Sequence, residues 1–269
     1  MKTALIAGEG RLPLLLAERV EFDRIAALEG FEPEGLKLDR RFRGETIGSF
    51  IADLASEGIT RICLAGGIAR PALDPSKLDA ATMPLVPRLA QAVMEGDDAA
   101  LRMVLTFFEE SGITPVGAHE LCPELLPPEG MLAGELTDAA RRDVDRGDAI
   151  LAAMGAVDIG QACVVARGQA LAIEAMAGTD WMLATLAAAR GQGRLAVGLP
   201  QGGILCKAPK PTQDRRVDLP AIGPDTIRNA AAAGLSGIAI EAGGVMLLDA
   251  EEAIALSRDS GLLLWVWSR

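Results

Sequence analysis

The 269-residue chain predicts an α/β protein of two domains, the first built on a parallel sheet and the second on a mixed one. Three observations carry this reading. In the first half, short apolar runs alternate with stretches whose apolar residues recur every three or four positions, the pattern of βαβ units. In the second half, two apolar runs joined by a tight polar turn give a hairpin signal among helical stretches. Between the halves, Pro123, Pro127, Pro128, Gly130 and Gly134 interrupt every periodicity.

Taken in order, Thr3–Ala7 reads as a buried strand. The turn Gly8-Glu9-Gly10-Arg11-Leu12-Pro13 follows, then a helical stretch over Leu14–Val20, with Pro13 suited to a first turn. Arg24–Leu28 is a second strand. Ile47, Phe50, Ile51 and Leu54 have helical spacing within Thr46–Glu57, which Gly58 closes. Arg61–Ala65 is a third strand and ends in Gly66-Gly67-Ile68-Ala69-Arg70-Pro71. Helices over Leu85–Met94 and Asp98–Ser111, the first residues of the latter preceded by the capping signal Gly96-Asp97-Asp98, lead to a strand at Ile113–Val116. These complete a Rossmann-like domain over residues 1–130, whose ligands are expected at the carboxyl ends of the strands, here the two glycine turns.

After a linker at 131–136, the second domain, 137–269, opens with Thr137 as N-cap of a charged helix through about Met154. Ala162–Ala166 and Ala170–Glu174, joined by Arg167-Gly168-Gln169, make the hairpin. Trp181–Arg190 is helical, Ile204–Lys207 a strand, and Pro224–Ala233 a helix stopped by Gly234. Ile238–Glu241 and Val245–Leu248 flank Gly243-Gly244, and a helix over Ala250–Arg258 precedes the run Leu262–Trp267. That last run reads either as an inner strand or as part of a homodimer contact.

Composition narrows the function. Lys and Arg number 26 against 37 Asp and Glu, a net charge of −11, and aromatic residues are 3% of the chain. Nucleic-acid binding wants clustered cations for phosphates and rings for bases, so no nucleic-acid partner is expected. The hydrophobic half of the composition excludes a disordered chain. Ala4–Ala7 is too short for a signal peptide, and Leu262–Trp267 falls far below the ~20 residues that cross a bilayer. Cys63, Cys122, Cys163 and Cys206 include no C-x-x-C and read as buried reduced thiols. The expected compartment is the cytoplasm, with contact at a membrane surface left open.

His119 is the single histidine, which removes multi-histidine zinc sites and any Ser-His-Asp triad that does not use it. Carboxylates, lysines, arginines and backbone amides remain, an inventory suited to phosphate chemistry assisted by a hard cation such as Mg²⁺. Gly8-x-Gly10 either lets backbone N–H groups approach a phosphate or is a plain tight turn. Pro13 stands where a dinucleotide fingerprint has its third glycine, which argues against an NAD site. Arg70 adds a cation to the second glycine turn, as a ligand contact or as a solvated side chain. The densest polar block runs from Lys207 to Pro220; across Lys207 to Asp218 it holds four cations and two carboxylates. By composition it is a solvated loop; against that, it leaves an apolar strand, is stiffened by Pro209, Pro211 and Pro220, and enters the helix start Ile222-Gly223-Pro224-Asp225-Thr226, so the alternative is a place where a pyrophosphate and its metal could be held. Asp225 there is either a dipole-stabilising residue or a functional one, and Thr179 and Asp180 of Gly178-Thr179-Asp180 carry the same ambiguity. Glu174 ends an apolar strand facing that turn and is harder to read as surface decoration.

The residues also resemble a known family, the UDP-2,3-diacylglucosamine pyrophosphatases of the I type in Gram-negative lipid A biosynthesis. The resemblance runs essentially end to end. It rests on Ile6-Ala-Gly8-x-Gly10-x-Leu12-Pro13, Gly96-Asp97-Asp98, Val116-Gly-Ala-His119-Glu120 and Gly178-Thr179-Asp180. Above all it rests on Lys207-x-x-Lys210-Pro211-x-Gln213-Asp214-x-Arg216-x-Asp218-Leu219-Pro220-x-Ile222-Gly223-x-Asp225-Thr226, which is long and specific. One departure is Ala177, where the family's pattern has an acidic residue before Gly-Thr-Asp.

The resemblance implies hydrolysis of UDP-2,3-diacylglucosamine to UMP and 2,3-diacylglucosamine 1-phosphate (lipid X), at a cleft between two domains, with Mg²⁺ or another divalent cation such as Mn²⁺. It implies a catalytic aspartate at Asp225, with Lys210 and Asp214 beside it. Substrate contacts fall on Gly8, Gly10, Leu12, Pro13, Arg70, Gly178, Thr179, Asp180, Lys207, Gln213, Arg216 and Thr226. The metal would draw on Asp225, Asp214, Asp218 and Glu174. Two acyl chains need apolar cover, for which Trp181 and Met182 are candidates unless they are simply core. Such a substrate implies an amphipathic nucleotide-lipid partner and transient contact with the inner-membrane surface. The competing readings are a nucleotide-sugar dehydrogenase and a non-catalytic nucleotide-lipid binder.

Overall fold

The computed structural model describes residues 1–68, 73–191, 200–211 and 213–269. The chain forms two units: Met1–Pro123 with Asp214–Asp218, and Glu124–Gln213 with Leu219–Arg269.

The first unit holds strands β1 (Lys2–Ala7), β2 (Arg24–Leu28), β3 (Arg40–Phe42), β4 (Ile59–Ala65) and β5 (Thr114–Pro115). Its helices are α1 (Arg11–Arg19), α2 (Ile47–Ser56), α3 (Val86–Glu95), α4 (Asp97–Glu110) and the single turn α5 (Ala118–Leu121). The strand order is β3-β2-β1-β4-β5, all parallel, as expected of right-handed βαβ crossovers. The order reverses between β1 and β4, so the carboxyl ends of these two strands are the switch point of the sheet. Gly96, at φ 128, takes the N-cap position of α4. Phe50, Ile51 and Leu54, the predicted apolar stripe of α2, pack with Ala4, Ile6, Ile62 and Phe108 into one core, and Phe42 stacks on Phe50 at 4.0 Å between ring centres. Residues 74–82 are tied to the start of α2: Thr82 Oγ1 accepts from the Gly48 N–H at 2.9 Å, and a Cβ on Gly48 would lie 2.4 Å from Ala81 backbone.

The second unit contains β6 (Gly130–Ala133), α6 (Asp138–Ala156), β7 (Ala162–Ala166), β8 (Gln169–Ile173), α7 (Gly178–Gly191), β9 (Ile204–Lys207), β10 (Ala221–Ile222), α8 (Pro224–Ala232), β11 (Gly237–Glu241), β12 (Met246–Leu247), α9 (Ala250–Asp259) and β13 (Leu263–Trp267). Thr137 caps α6, accepting from the Ala140 N–H at 3.1 Å. The main sheet has six strands in the order β6-β13-β11-β9-β7-β8, mixed as the hairpin predicted. β13, β11 and β9 are parallel, while β6, β7 and β8 run antiparallel to their neighbours. β13 is an inner strand, paired with β11 on one side and β6 on the other. β12 does not pair with β11 across the glycine turn; it joins β10 in a small parallel sheet.

Strand alternation divides the core of this unit into two faces. Ala162, Val164, Leu205, Ile238, Ile240 and Leu264 meet α7, α8 and α9, while Cys163, Val165, Ile204, Cys206 and Ala239 meet α6. Met182 belongs to the first of these cores at 3% exposure, whereas Trp181 beside it is 61% exposed. Met182 is therefore core, and only Trp181 remains available to an apolar ligand.

Candidate active site

Alternation along β9 explains the position of its last residue. Leu205 faces α7 and α8, so Lys207, two residues on, points to the same side as the strand runs out. Its ammonium donates to Thr179 Oγ1 at 3.0 Å and to the Ala221 carbonyl at 3.1 Å, with the side chain only 7% exposed. Thr179 is available there because α7 begins at Gly178, three residues before the sequence signal. Gly178, at φ 83, turns the chain into the helix, and Thr179 and Asp180 sit in its first turn. Asp180 Oδ1 accepts from Asn229 Nδ2 of α8 at 3.0 Å. Glu174, one residue past β8, is buried, and its carboxylate accepts from the Gln161 N–H at 3.3 Å.

Helix α8 carries Asp225 and Thr226 in its first turn, after Gly223 as N-cap. Thr226 Oγ1 accepts from the Gly223 N–H at 3.4 Å. Asp225 is exposed, its side chain 89% accessible, and Oδ1 accepts from Arg228 Nη1 at 2.6 Å. The other guanidinium nitrogen of Arg228 donates to Glu252 Oε1 of α9 at 2.5 Å. The bonds to Asp225 and then to Glu252 hold the Arg228 guanidinium's proton more firmly than usual, pushing its pKa up.

Lys210 lies in a tight turn after β9. Its N–H donates to Gln213 Oε1 at 3.1 Å, the Gln213 N–H returns to the Lys210 carbonyl at 3.2 Å, and Gln213 is buried. The Lys210 ammonium, 15% exposed, pairs with Asp158 at 2.6 Å. Asp214, Arg216 and Asp218 belong to the segment that joins the first unit. Arg216 grips Asp214 with two bonds, Nε–Oδ1 at 3.0 Å and Nη2–Oδ2 at 2.7 Å, and reaches Glu109 of α4 at 2.7 Å. These side-chain bonds from Arg216 hold the Asp214 carboxyl below its ordinary range, against the opposing effect of burial.

The two glycine turns of the first unit are bonded to each other. Gly8 N–H donates to the Ala65 carbonyl at 2.8 Å, Glu9 N–H to Gly67 at 2.8 Å, and Gly67 N–H to Glu9 at 2.9 Å. Those amides are committed within the protein, leaving Gly10, at φ 95 with open space about its Cβ position, as the turn's accessible glycine. Pro13 is buried in the first turn of α1, and Leu12 beside it is half-buried. Arg70 lies outside the described residues. Two cavities of about 370 and 350 Å³, one between α3 and α4 and one at the amino-terminal ends of β9 and β13, are lined by none of these residues.

The model of the LpxI N-terminal domain matches residues 2–125, and that of the LpxI C-terminal domain matches 128–265. The chain belongs to the LpxI family. It is 39% identical over 278 aligned positions to the UDP-2,3-diacylglucosamine pyrophosphatase LpxI of Caulobacter vibrioides, covering 98% of this chain and 96% of that protein.

Within this LpxI-family chain, the second unit gathers Lys207, Gly178, Thr179, Asp180, Asp225 and Thr226 around α7, β10 and α8, with Glu174 at the end of β8. Asp214, Arg216 and Asp218 are grouped with α4 instead. Sequence reasoning missed Arg228, Asn229 and Glu252. Arg228 carried a signal, standing three positions after Asp225 on one helix face; Glu252 carried none. The implied divalent cation finds no assembled ligand set: among the described residues no three Asp, Glu, His or Cys side chains are placed to hold a metal ion. Mg²⁺ favours six oxygens in near-octahedral array, and here Asp214 is gripped by Arg216 while Asp225 has one oxygen on Arg228.

Proposed function

We propose that this chain hydrolyses the pyrophosphate of UDP-2,3-diacylglucosamine to UMP and 2,3-diacylglucosamine 1-phosphate. The observation that carries the reading is the 39% identity to a protein of that name across 98% of the chain. A water oxygen bonds to one phosphorus while the bridging oxygen departs with the other phosphate. The difficulty is charge, since an anionic diphosphate repels a nucleophile and the departing phosphate gains negative charge. Lys207 answers this as a cation fixed by Thr179 and Ala221 before any substrate arrives. Lys210 and Arg216 are further neutralising cations. Asp225 orients the attacking water through its carboxylate; Oδ2 accepts no hydrogen bond among the described residues.

A requirement for Mg²⁺ or Mn²⁺ belongs to the same proposal, supported by the carboxylate-rich, histidine-poor inventory. The ion's oxygen donors would come from Asp225, Glu174, Asp214 and Asp218, which are not assembled as a ligand set among the described residues. Action at the inner-membrane surface follows from a substrate with two acyl chains, and exposed Trp181 and Met176 suit it. A cytoplasmic site fits the four free, buried cysteines. A homodimer is proposed too and is checked by light scattering, where a monomer mass would overturn it. The activity is tested by incubating purified protein with UDP-2,3-diacylglucosamine, with Mg²⁺ or with EDTA. UMP release is expected; none under any condition would reject the reading, and release undiminished by EDTA would reject only the metal.

A further inference from the structure

Asp225 is exposed on the first turn of a helix, where a carboxylate is free to sample several rotamers. A catalytic group needs one of them. The only cation bonded to Asp225 among the described residues is Arg228, one turn later on α8. An ordinary pair at this spacing is loose, because a long arginine gains little by staying in place. Arg228 differs in being held from behind. Its second nitrogen is engaged by Glu252, in the first turn of the neighbouring helix α9, so the guanidinium spans two carboxylates on two helices. A planar fork suits this bridge in a way that a lysine ammonium does not. One helix position further on, Asn229 bonds Asp180, so consecutive side chains of α8 tie Asp225 to α9 and the Gly178-Thr179-Asp180 turn to α8.

We propose that Arg228, braced by Glu252, is a positioning residue for Asp225: it fixes Oδ1 and leaves Oδ2 of this exposed carboxylate to act. Neither Arg228 nor Glu252 touches the reacting atoms. The inference rests on the reading of Asp225 as the catalytic carboxylate.

The test compares steady-state kinetics of UMP release for the wild type, Asp225→Asn, Arg228→Met, Arg228→Lys and Glu252→Gln, with thermal unfolding of each. Misplacing a catalytic group by about an ångström costs up to roughly 10²-fold in rate, so Arg228→Met is expected to lower kcat about 10- to 100-fold. KM should stay within about twofold, because substrate binding is not what is lost. Arg228→Lys keeps the charge and is expected to recover part of kcat; Glu252→Gln, which loosens only the brace, should lower it by about threefold on the same reasoning. A merely structural role would raise KM or lower the melting temperature instead, and would not be rescued by lysine. Wild-type kcat in Arg228→Met and Glu252→Gln alongside an inactive Asp225→Asn would overturn this inference while leaving the reading of Asp225 standing. Wild-type turnover in Asp225→Asn would instead remove that reading itself.

Discussion

Adding one methyl group at Gly8 should cost the first unit about 3 kcal/mol. A Cβ built there lies 2.5 Å from the Gly67 carbonyl oxygen and 2.9 Å from the carbonyl carbons of Gly66 and Gly67. These are backbone atoms, so no side chain can swing aside. The turns after β1 and β4 must separate, which strains the reciprocal Glu9–Gly67 bonds of 2.8 and 2.9 Å. Losing two backbone bonds costs about 2 kcal/mol, and a forced overpacking adds about 1 kcal/mol or more. At roughly 3 °C per kcal/mol for a unit of this size, Gly8→Ala should lower its melting temperature by about 10 °C. Gly67→Ala is the control, since nothing lies within 4 Å of its Cβ position, and it should be nearly neutral. Gly10→Ala falls between: the space is open, but φ 95 with ψ −178 is a region that side chains avoid, at about 1–3 kcal/mol. Calorimetry on the three variants gives the order directly. If Gly8→Ala melts with Gly67→Ala, the turns are not locked as described.

Asp225→Ala should lower kcat at least ~10²-fold while leaving the melting temperature within a degree or two, because the side chain is 89% exposed; unchanged turnover would refute its role. Lys207→Ala should cost both activity and about 1–3 kcal/mol, since it strips the bonds to Thr179 and Ala221 in a buried place, whereas Lys210→Ala should cost activity and no more than about 1 kcal/mol of stability in denaturant titrations. Asp214 has its carboxyl pKa depressed by Arg216, so its contribution to stability is present above the ordinary aspartate pKa and is lost as pH falls through the depressed value; Asp214→Asn should therefore destabilise at neutral pH and match the wild type in strong acid. Burial pushes the Cys63 thiol up to about 12 and the Cys206 thiol is also raised, chiefly by its hydrogen bond with the Cys163 thiol and then by burial; with all four cysteines free and buried, a thiol-specific disulfide reagent should label none in the folded protein and all four after unfolding.

Much of the fold was legible because periodicity is a local property. Arg24–Leu28 is a strand with the predicted limits, and the apolar stripe of α2 packs as its spacing required. Three-residue β3, Arg-Arg-Phe, showed no alternation and gains strand form only from its bonds to β2. β6 follows the prolines, in a stretch with no periodicity, and is ordered by pairing with β13. At the site, the side of β9 that Lys207 faces could be read from Leu205, but Thr179 as its partner could not, because α7 and β9 meet only in the fold. Likewise, Arg228 follows from helical spacing and Glu252 does not. Nothing in the composition of Asp214–Asp218 distinguishes it from the residues on either side, and its place in the first unit, where Arg216 reaches Glu109, comes from a contact 107 positions away in the chain.

That short visit has a consequence for protein engineering. A split gene, or a chimera joined near residue 125, would treat the two halves as separate cassettes. The amino-terminal product would then lack the strip that bonds Glu109, and the carboxy-terminal product would carry Arg216 with Asp214 but without Glu109. Exchange between relatives should therefore transplant residues 214–218 together with α4, so that Arg216 keeps Glu109 as its partner.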